Sequence, residues 1–296
     1  MIPLRDIRRQ IQSIRKISHI TRAMKTVSAI RLRKVQGQVV RQRPYALKLR
    51  DIVSDLVQRT AARAHPLLQV AGKPEILNPK PETPVVVLVL GSDRGLCGAF
   101  NSNLVLELKR FLKARQGQPV ELVVAGKRLR ELLHSRKVKV DRDLAGFFQD
   151  LSYDTVVKLA TDFKTRYLAG EVAELWCVYT AFKSTVRQQA VAELLLPIGV
   201  EKLSAEPLFP EYRYEPDEFT VLDEILPMYY TREWWRVFLE SEAAEHITRM
   251  RAMDMATVNA GEMIDDLTLV LNKARQELIT RELSEISTSA EALRAG

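Results

Sequence analysis

Met250-Arg-Ala-Met-Asp-Met-Ala-Thr-Val-Asn-Ala-Gly-Glu-Met-Ile-Asp-Asp-Leu-Thr-Leu-Val-Leu271 decides how this chain folds. Met250, Thr257, Ile264, Leu271 and, one repeat on, Leu278 stand seven apart, and Met253, Ala260, Leu267, Ala274 and Arg281 form the second set of the same heptad. That spacing gathers both sets into one stripe of a helix, and such a stripe has to pack against another helix. Between Trp234 and Leu293 there is no proline and only Gly261, so the helix is expected to exceed about 50 residues, too long to stand alone in a globular domain.

The opposite end of the chain answers it. From Leu4 to Val57 the one strong breaker is Pro44, and Ile7, Ile11, Ile14, Ile17, Met24, Val27 and Ile30 recur in steps of mostly three and four, the pattern of a long amphipathic helix. Pro44 is expected to kink it or to weaken it beyond that point. Two such helices at the two ends of one chain most simply form an intramolecular antiparallel coiled coil with the left-handed twist of a heptad repeat.

Between them the pattern changes. His65 to Pro84 holds five prolines and reads as a connection. Apolar runs at Val85–Leu90, Leu122–Ala125 and Leu175–Thr180 alternate with helical stretches at about Ser102–Arg115, Lys127–His134 and Thr155–Leu168, and Ala190–Leu196 continues as a further strand. Strands alternating with helices predict a small, mostly parallel α/β layer domain. The expected organisation is a coiled-coil helix over 1–60, a connection over 61–84, a Rossmann-like α/β domain over 85–200, loops over 201–233 and a second coiled-coil helix over 234–293.

Composition narrows the function. No stretch approaches the ~18 consecutive apolar residues of a spanning helix, so membrane contact is expected only through partners. Cys97 and Cys177 lie far apart with no CxxC, which fits two buried packing residues in a reducing compartment. The net charge of +8 is uneven: residues 1–50 hold 14 Lys or Arg against one acid, Asp6, so that +13 in this segment leaves −5 for the rest. A one-signed face points to an acidic partner, whether protein, nucleic acid or membrane surface. The Arg-rich, acid-poor start has no apolar signal core and no small-residue cleavage site, so it is read as mature structure.

Catalytic motifs are not found. Gly91-Ser-Asp-Arg-Gly-Leu-Cys-Gly98 follows an apolar strand as a phosphate loop would, but it lacks the GK[ST] that places a lysine on phosphate and a hydroxyl on magnesium. Its glycines are expected to serve turn geometry, with Asp93-Arg94 a turn-stabilising pair. His19, His65, His134 and His246 are scattered without ligand spacing, so neither metal nor cofactor is expected. A coiled-coil protein that binds nucleic acid is the main alternative, and an α/β enzyme using the 91–98 loop a third. Against nucleic acid, the basic residues share their helix with an apolar seam, and Tyr45 is the one aromatic residue before Phe100.

Three stretches carry a resemblance. Leu4-Arg-Asp-Ile-Arg-Arg9 with Ile20-Thr-Arg-Ala-Met-Lys-Thr-Val27, Ser92-Asp-Arg-Gly-Leu-Cys-Gly98 with Asn101, and Asn272-Lys-Ala-Arg-Gln276 with Ile279-Thr-Arg-Glu-Leu-Ser-Glu-Ile286 resemble, in this order, the signatures of F-type ATP synthase gamma subunits. The resemblance implies terminal helices in an antiparallel coiled coil inside a ring of alpha and beta subunits, a Rossmann-like domain resting with an epsilon subunit on a membrane ring of c subunits, and catalysis on the beta subunits rather than on this chain. Carried over by position, Met24 and Lys25 fall in the segment that faces an acidic loop of the beta subunits. Arg249, Gln276, Thr280 and Glu282 match positions that contact the ring or affect coupling. The chain departs from the commoner pattern at Glu277-Leu278, at Thr26 and at Arg281. Around residues 197–215 it lacks the long insertion, with paired cysteines, of photosynthetic members, so no light-dependent thiol switch is expected. The location implied is the cytoplasmic face of a bacterial plasma membrane, as a peripheral protein.

Overall fold

The computed structural model describes residues 4–60, 65–69, 82–144, 146–149, 151–184, 187–199 and 212–295. Most of the expected 61–84 connection, and the first part of the loops expected over 201–233, therefore lie outside the described residues. The chain divides into two compact units, one of Met1–Ala29 with Arg249–Gly296 and the other of Ile30–Thr248. The long helices α1 (Leu4–Arg59) and α5 (Glu218–Ala295) contribute to both.

The larger unit is built on a five-stranded sheet in the order β4-β3-β2-β5-β6. Its strands are β2 (Val85–Leu90), β3 (Val120–Ala125), β4 (Arg142–Asp143), β5 (Glu174–Phe182) and β6 (Gln188–Leu196). All pairs are parallel except β5 with β6. The crossovers are α2 (Phe100–Ala114), α3 (Lys127–Ser135) and α4 (Tyr153–Leu168), so each expected strand and helix is present within a few residues of its expected bounds. A separate pair of two-residue strands, β1 (Leu68–Gln69) and β7 (Ile198–Gly199), runs parallel.

Val85 to Leu90 is apolar throughout because β2 lies at the centre of the sheet and both faces are covered, as parallel sheets require. On one face Val85, Val87 and Val89 meet Phe100, Leu104 and Leu108 of α2 and Leu129 and Leu133 of α3. On the other, α4 and the start of α5 interlock: the Phe163 ring stacks on Trp234 at 5.6 Å and the Tyr230 hydroxyl donates to the Ala160 carbonyl at 3.2 Å. Arg236 ties α5 to the antiparallel edge, donating to Glu193 of β6 at 2.8 Å and to the Tyr179 hydroxyl of β5 at 3.1 Å. Burial works against that charge, but Glu233, Glu193 and Glu240 around it outweigh the penalty and raise the guanidinium's hold on its proton.

One expectation changes. Residues 218–233 are helix rather than loop, because Asp217 caps them: its carboxylate accepts from the Phe219 and Thr220 amides and from the Thr220 hydroxyl. Leu222, Leu226, Tyr229 and Tyr230 then bury one face, and that packing carries the helix through Pro227. The first helix likewise runs on through Pro44, an exposed position, where the ring costs one backbone hydrogen bond but meets no core.

The loop after β2 occupies the point where strand order reverses, the usual ligand crevice of open α/β sheets. Here the chain fills that crevice itself. A Cβ built on Gly126, whose φ is +118°, would stand 2.7 Å from the Gly91 carbonyl carbon, so the two backbones are in contact. Asp93 takes the place of a missing side-chain cap on α3 by accepting from the Lys127 amide at 2.9 Å, and it also holds the Gly146 amide at 3.1 Å. Asn101 accepts from the Ser92 amide and donates to the Ser92 hydroxyl. Replacement of Gly126 by Ala is expected to destabilise this unit by about 2–4 kcal/mol, through left-handed strain and overpacking together. A loss of unfolding free energy smaller than a quarter of that amount in chemical denaturation would refute this role for the glycine pair.

Candidate functional site

All six residues singled out by the resemblance fall in the smaller unit, where α1 and α5 lie antiparallel. Two contacts set the register: the Thr21 and Thr257 hydroxyls at 2.7 Å, and Lys25 Nζ to Asp254 Oδ1 at 2.6 Å. Each threonine also lies within reach of its own helix, at the Ser18 and Met253 carbonyls. A hydroxyl carries one proton, so one threonine gives it to its partner across the seam while the other keeps its backbone bond. Stepped outward one heptad at a time, this register sets Ile14 opposite Ile264 and Ile7 opposite Leu271. Gln10, Ser13 and Ile14 share a shallow groove with Met263, Asp266 and Leu267, in agreement with it.

On α5 the heptad residues turn inward as expected as far as Ala274, with Met253 and Ala260 buried. On α1 the seam differs from the apolar series. Ile7, Ile11 and Ile14 belong to it, but it continues through Ser18, Thr21 and Ser28, whereas Ile17, Val27 and Ile30 are 50%, 51% and 62% exposed. In this register Ser18 stands opposite Ala260, Thr21 opposite Thr257 and Ser28 opposite Met250. Ser28 satisfies its own hydroxyl by donating to the Met24 carbonyl at 2.9 Å. Within the smaller unit, Ile17, Ile20 and Val27 are left exposed among exposed Arg9, Lys16 and Arg22. Met255, Val258 and Leu269 do the same on α5.

Of the six, Met24 is half-buried and Lys25 is held by Asp254, at 42% exposure, so part of its charge is already answered within the chain. Arg249 is buried. Gln276 and Thr280 are exposed, one turn apart, joined by the Thr280 hydroxyl donating to the Gln276 carbonyl at 2.9 Å. Glu282 is exposed beside Glu285, Ile286 and Ser289. The last three lie where α5 has passed the start of α1: from Arg275 to Ala290 every residue is exposed. Ile279, Leu283 and Ile286 recur there at i, i+4 and i+7 and form one apolar stripe that is exposed among the described residues. That spacing was available in the sequence. The crossing from Lys25 to Asp254 was not, because it depends on the register.

A family model described as ATP synthase matches residues 3–293. The ATP synthase gamma chain of Anaeromyxobacter dehalogenans (strain 2CP-C) is 42% identical over 99% of this chain and 100% of its own length. That of Chlorobium phaeobacteroides (strain BS1) is 39% identical over 99% of both. Among solved structures, a chain of the Euglena gracilis mitochondrial ATP synthase, in an assembly described as OSCP/F1/c-ring in rotational state 3, superposes with a TM-score of 0.67 at 18% identity, covering 99% of this chain and 95% of that one. At that identity the likeness concerns the fold.

The threonine pair makes a measurable statement about the seam. A double-mutant cycle with Thr21→Val and Thr257→Val is expected to show a coupling of about 0.5–1.5 kcal/mol, the net worth of the one hydrogen bond between the two hydroxyls, since either threonine left alone still donates to its own helix. Lys25→Ala, which removes a half-exposed ion pair, is expected to cost under about 1 kcal/mol. Additive threonine effects in chemical denaturation would show that the two side chains do not meet.

Proposed function

The chain belongs to the ATP synthase gamma-chain family, and from that premise we propose that it works as the rotary central shaft of an F-type ATP synthase. It couples proton flow across a membrane to ATP synthesis or hydrolysis on the beta subunits and makes or breaks no bond itself. The observation that carries this reading is the outward surface of the smaller unit. Its seam is closed by its own two helices, yet Ile17, Ile20 and Val27 on α1 and Ile279, Leu283 and Ile286 on α5 remain exposed. Apolar stripes of this length call for a surrounding sleeve, and a ring of alpha and beta subunits supplies one.

The two helices present different chemistry to such a ring. Residues 4–29 of α1 carry seven Lys or Arg against the single acid Asp6, whereas the partner stretch of α5 holds Asp254, Glu262, Asp265 and Asp266 within thirteen residues. A shaft with one basic and one acidic side shows a different face to each of three beta subunits. It thereby biases three otherwise equal sites toward different nucleotide affinities, and turning it cycles the biases. Met24 and Lys25, next to the basic residues of α1, are assigned to an acidic loop of the beta subunits, where opposite charge favours the encounter. Arg249, Gln276, Thr280 and Glu282 are assigned to ring contact and coupling.

The larger unit, in this reading, meets an epsilon subunit and the c-subunit ring. No helix among the described residues is long and apolar enough to cross a membrane, and membrane contact is assigned to those partners. We place the complex on the cytoplasmic face of a bacterial plasma membrane, and we assign no nucleic acid, cofactor or metal to the chain.

Reconstitution with alpha and beta subunits, followed by observation of rotation driven by ATP, tests the assignment. Within that assay, Ile264→Ala with Leu271→Ala removes two half-buried seam residues, at about 1–2 kcal/mol each given their partial burial. The variant is expected to turn with lower torque and to yield less ATP per proton in the whole complex. Torque equal to the parent's would contradict the claim that seam packing stiffens the shaft.

A further inference from the structure

His65, just beyond α1 in the larger unit, is buried to 3% exposure, yet both ring nitrogens are engaged. The Leu67 amide donates to Nδ1 at 3.1 Å, and Nε2 stands 3.1 Å from Asp223 Oδ1 on α5. A carboxylate only accepts and an amide N–H only donates. The ring is therefore neutral with its proton on Nε2, the one tautomer that satisfies both neighbours. Leu67 is in turn the fastening of the small sheet: its carbonyl accepts from the Ile198 amide at 2.7 Å, and Leu68 and Gln69 pair with Ile198 and Gly199.

We propose that His65 is a proton-operated catch on the β1–β7 strap. A proton arriving at Nδ1 sets an N–H against the Leu67 N–H, two donors at hydrogen-bond distance, and the ring must withdraw from Leu67. On the α5 side nothing is lost, since the imidazolium still donates to Asp223. Protonation thus releases the strap while leaving the ring attached to the helix. Asp223 is 66% exposed, so the added attraction is weak and does not repay the lost bond and the buried charge. Among the described residues, Asp223 is the charged group that faces the ring; Leu67, Leu68, Ile198 and Gly199 on the strap side do not titrate. Burial lowers the imidazole's affinity for a proton more than Asp223 raises it. The catch therefore contributes fully above the ordinary histidine range, and its contribution is lost as pH falls through the lowered folded-state value.

The proposal does not depend on the assignment of the shaft and is tested on the full-length chain alone. Hydrogen exchange at the Leu67 and Ile198 amides, corrected for its intrinsic pH dependence, is expected to lose about tenfold in protection between about pH 8 and about pH 5. His65→Asn keeps an acceptor near Nδ1 that takes up no proton, and it should hold protection constant across that range. His65→Gln reaches toward Asp223 but offers Leu67 nothing, and it should be open at both ends. Should a variant fail to fold, the parent decides the matter: the Nδ1 nitrogen resonance must change from unprotonated to protonated over the same pH interval as the two amides open. Constant protection in the parent, or a pH response in His65→Asn equal to the parent's, overturns the catch.

Discussion

The register of the smaller unit is set by the pairing of Thr21 with Thr257 and Lys25 with Asp254 across two antiparallel helices. A purely apolar seam slides by a heptad at modest cost, because every isoleucine finds another apolar neighbour. A hydroxyl that finds its partner at one register and loses it at the next does not slide. Ile7, Ile11 and Ile14 on one side and Ile264, Leu267 and Leu271 on the other supply the burial, and the polar layer decides which of them meet.

The same register determines which apolar residues stay outside. Because small hydroxyl side chains occupy the α1 seam from Ser18 to Ser28, the larger Ile17, Ile20 and Val27 are left on the outer surface, and α5 continues past the start of α1 with Ile279, Leu283 and Ile286 exposed among the described residues. A surface so apolar is a poor one to show water and a serviceable one to turn against a close, weakly adhering sleeve, with interspersed arginines and lysines to choose the sign of what surrounds it. In the larger unit the opposite logic holds. A crevice that in other α/β sheets admits a ligand is narrowed by the Gly91–Gly126 contact and by the two amide bonds of Asp93, which fasten the neighbouring loops to each other.

The reading of the sequence was most secure where burial follows period. Val85–Leu90, covered on both faces, and the α5 heptads from Met250 to Ala274 stood in the residues themselves. Ile17, Val27 and Ile30 lie outside the α1 seam although they share its apolar periodicity, because Ser18, Thr21 and Ser28, which hold those places, carry no hydrophobic signal. The loops expected over 201–233 give way to helix from Glu218 onward. The Asp217 cap, three residues before Thr220, was the competing signal, and tertiary packing of Leu222, Leu226 and Tyr230 settled it. At the candidate site, sequence gave Met24, Lys25 and the terminal residues only by family position. That Lys25 already has a partner in Asp254 could not be read before the two helices were in register.

The central claim is that the two ends of the chain act as one shaft, and a covalent lock tests it most directly. With Thr21→Cys and Thr257→Cys in an otherwise native chain, where Cys97 and Cys177 are buried, oxidation should join α1 to α5 at the layer that now holds them by a hydrogen bond. After assembly with alpha and beta subunits, rotation driven by ATP is expected to proceed at the same rate with the bond closed as with it reduced, since nothing within the coil has to move. Failure of the two thiols to join, or a rotor that stops when they do and resumes on reduction, would contradict the account.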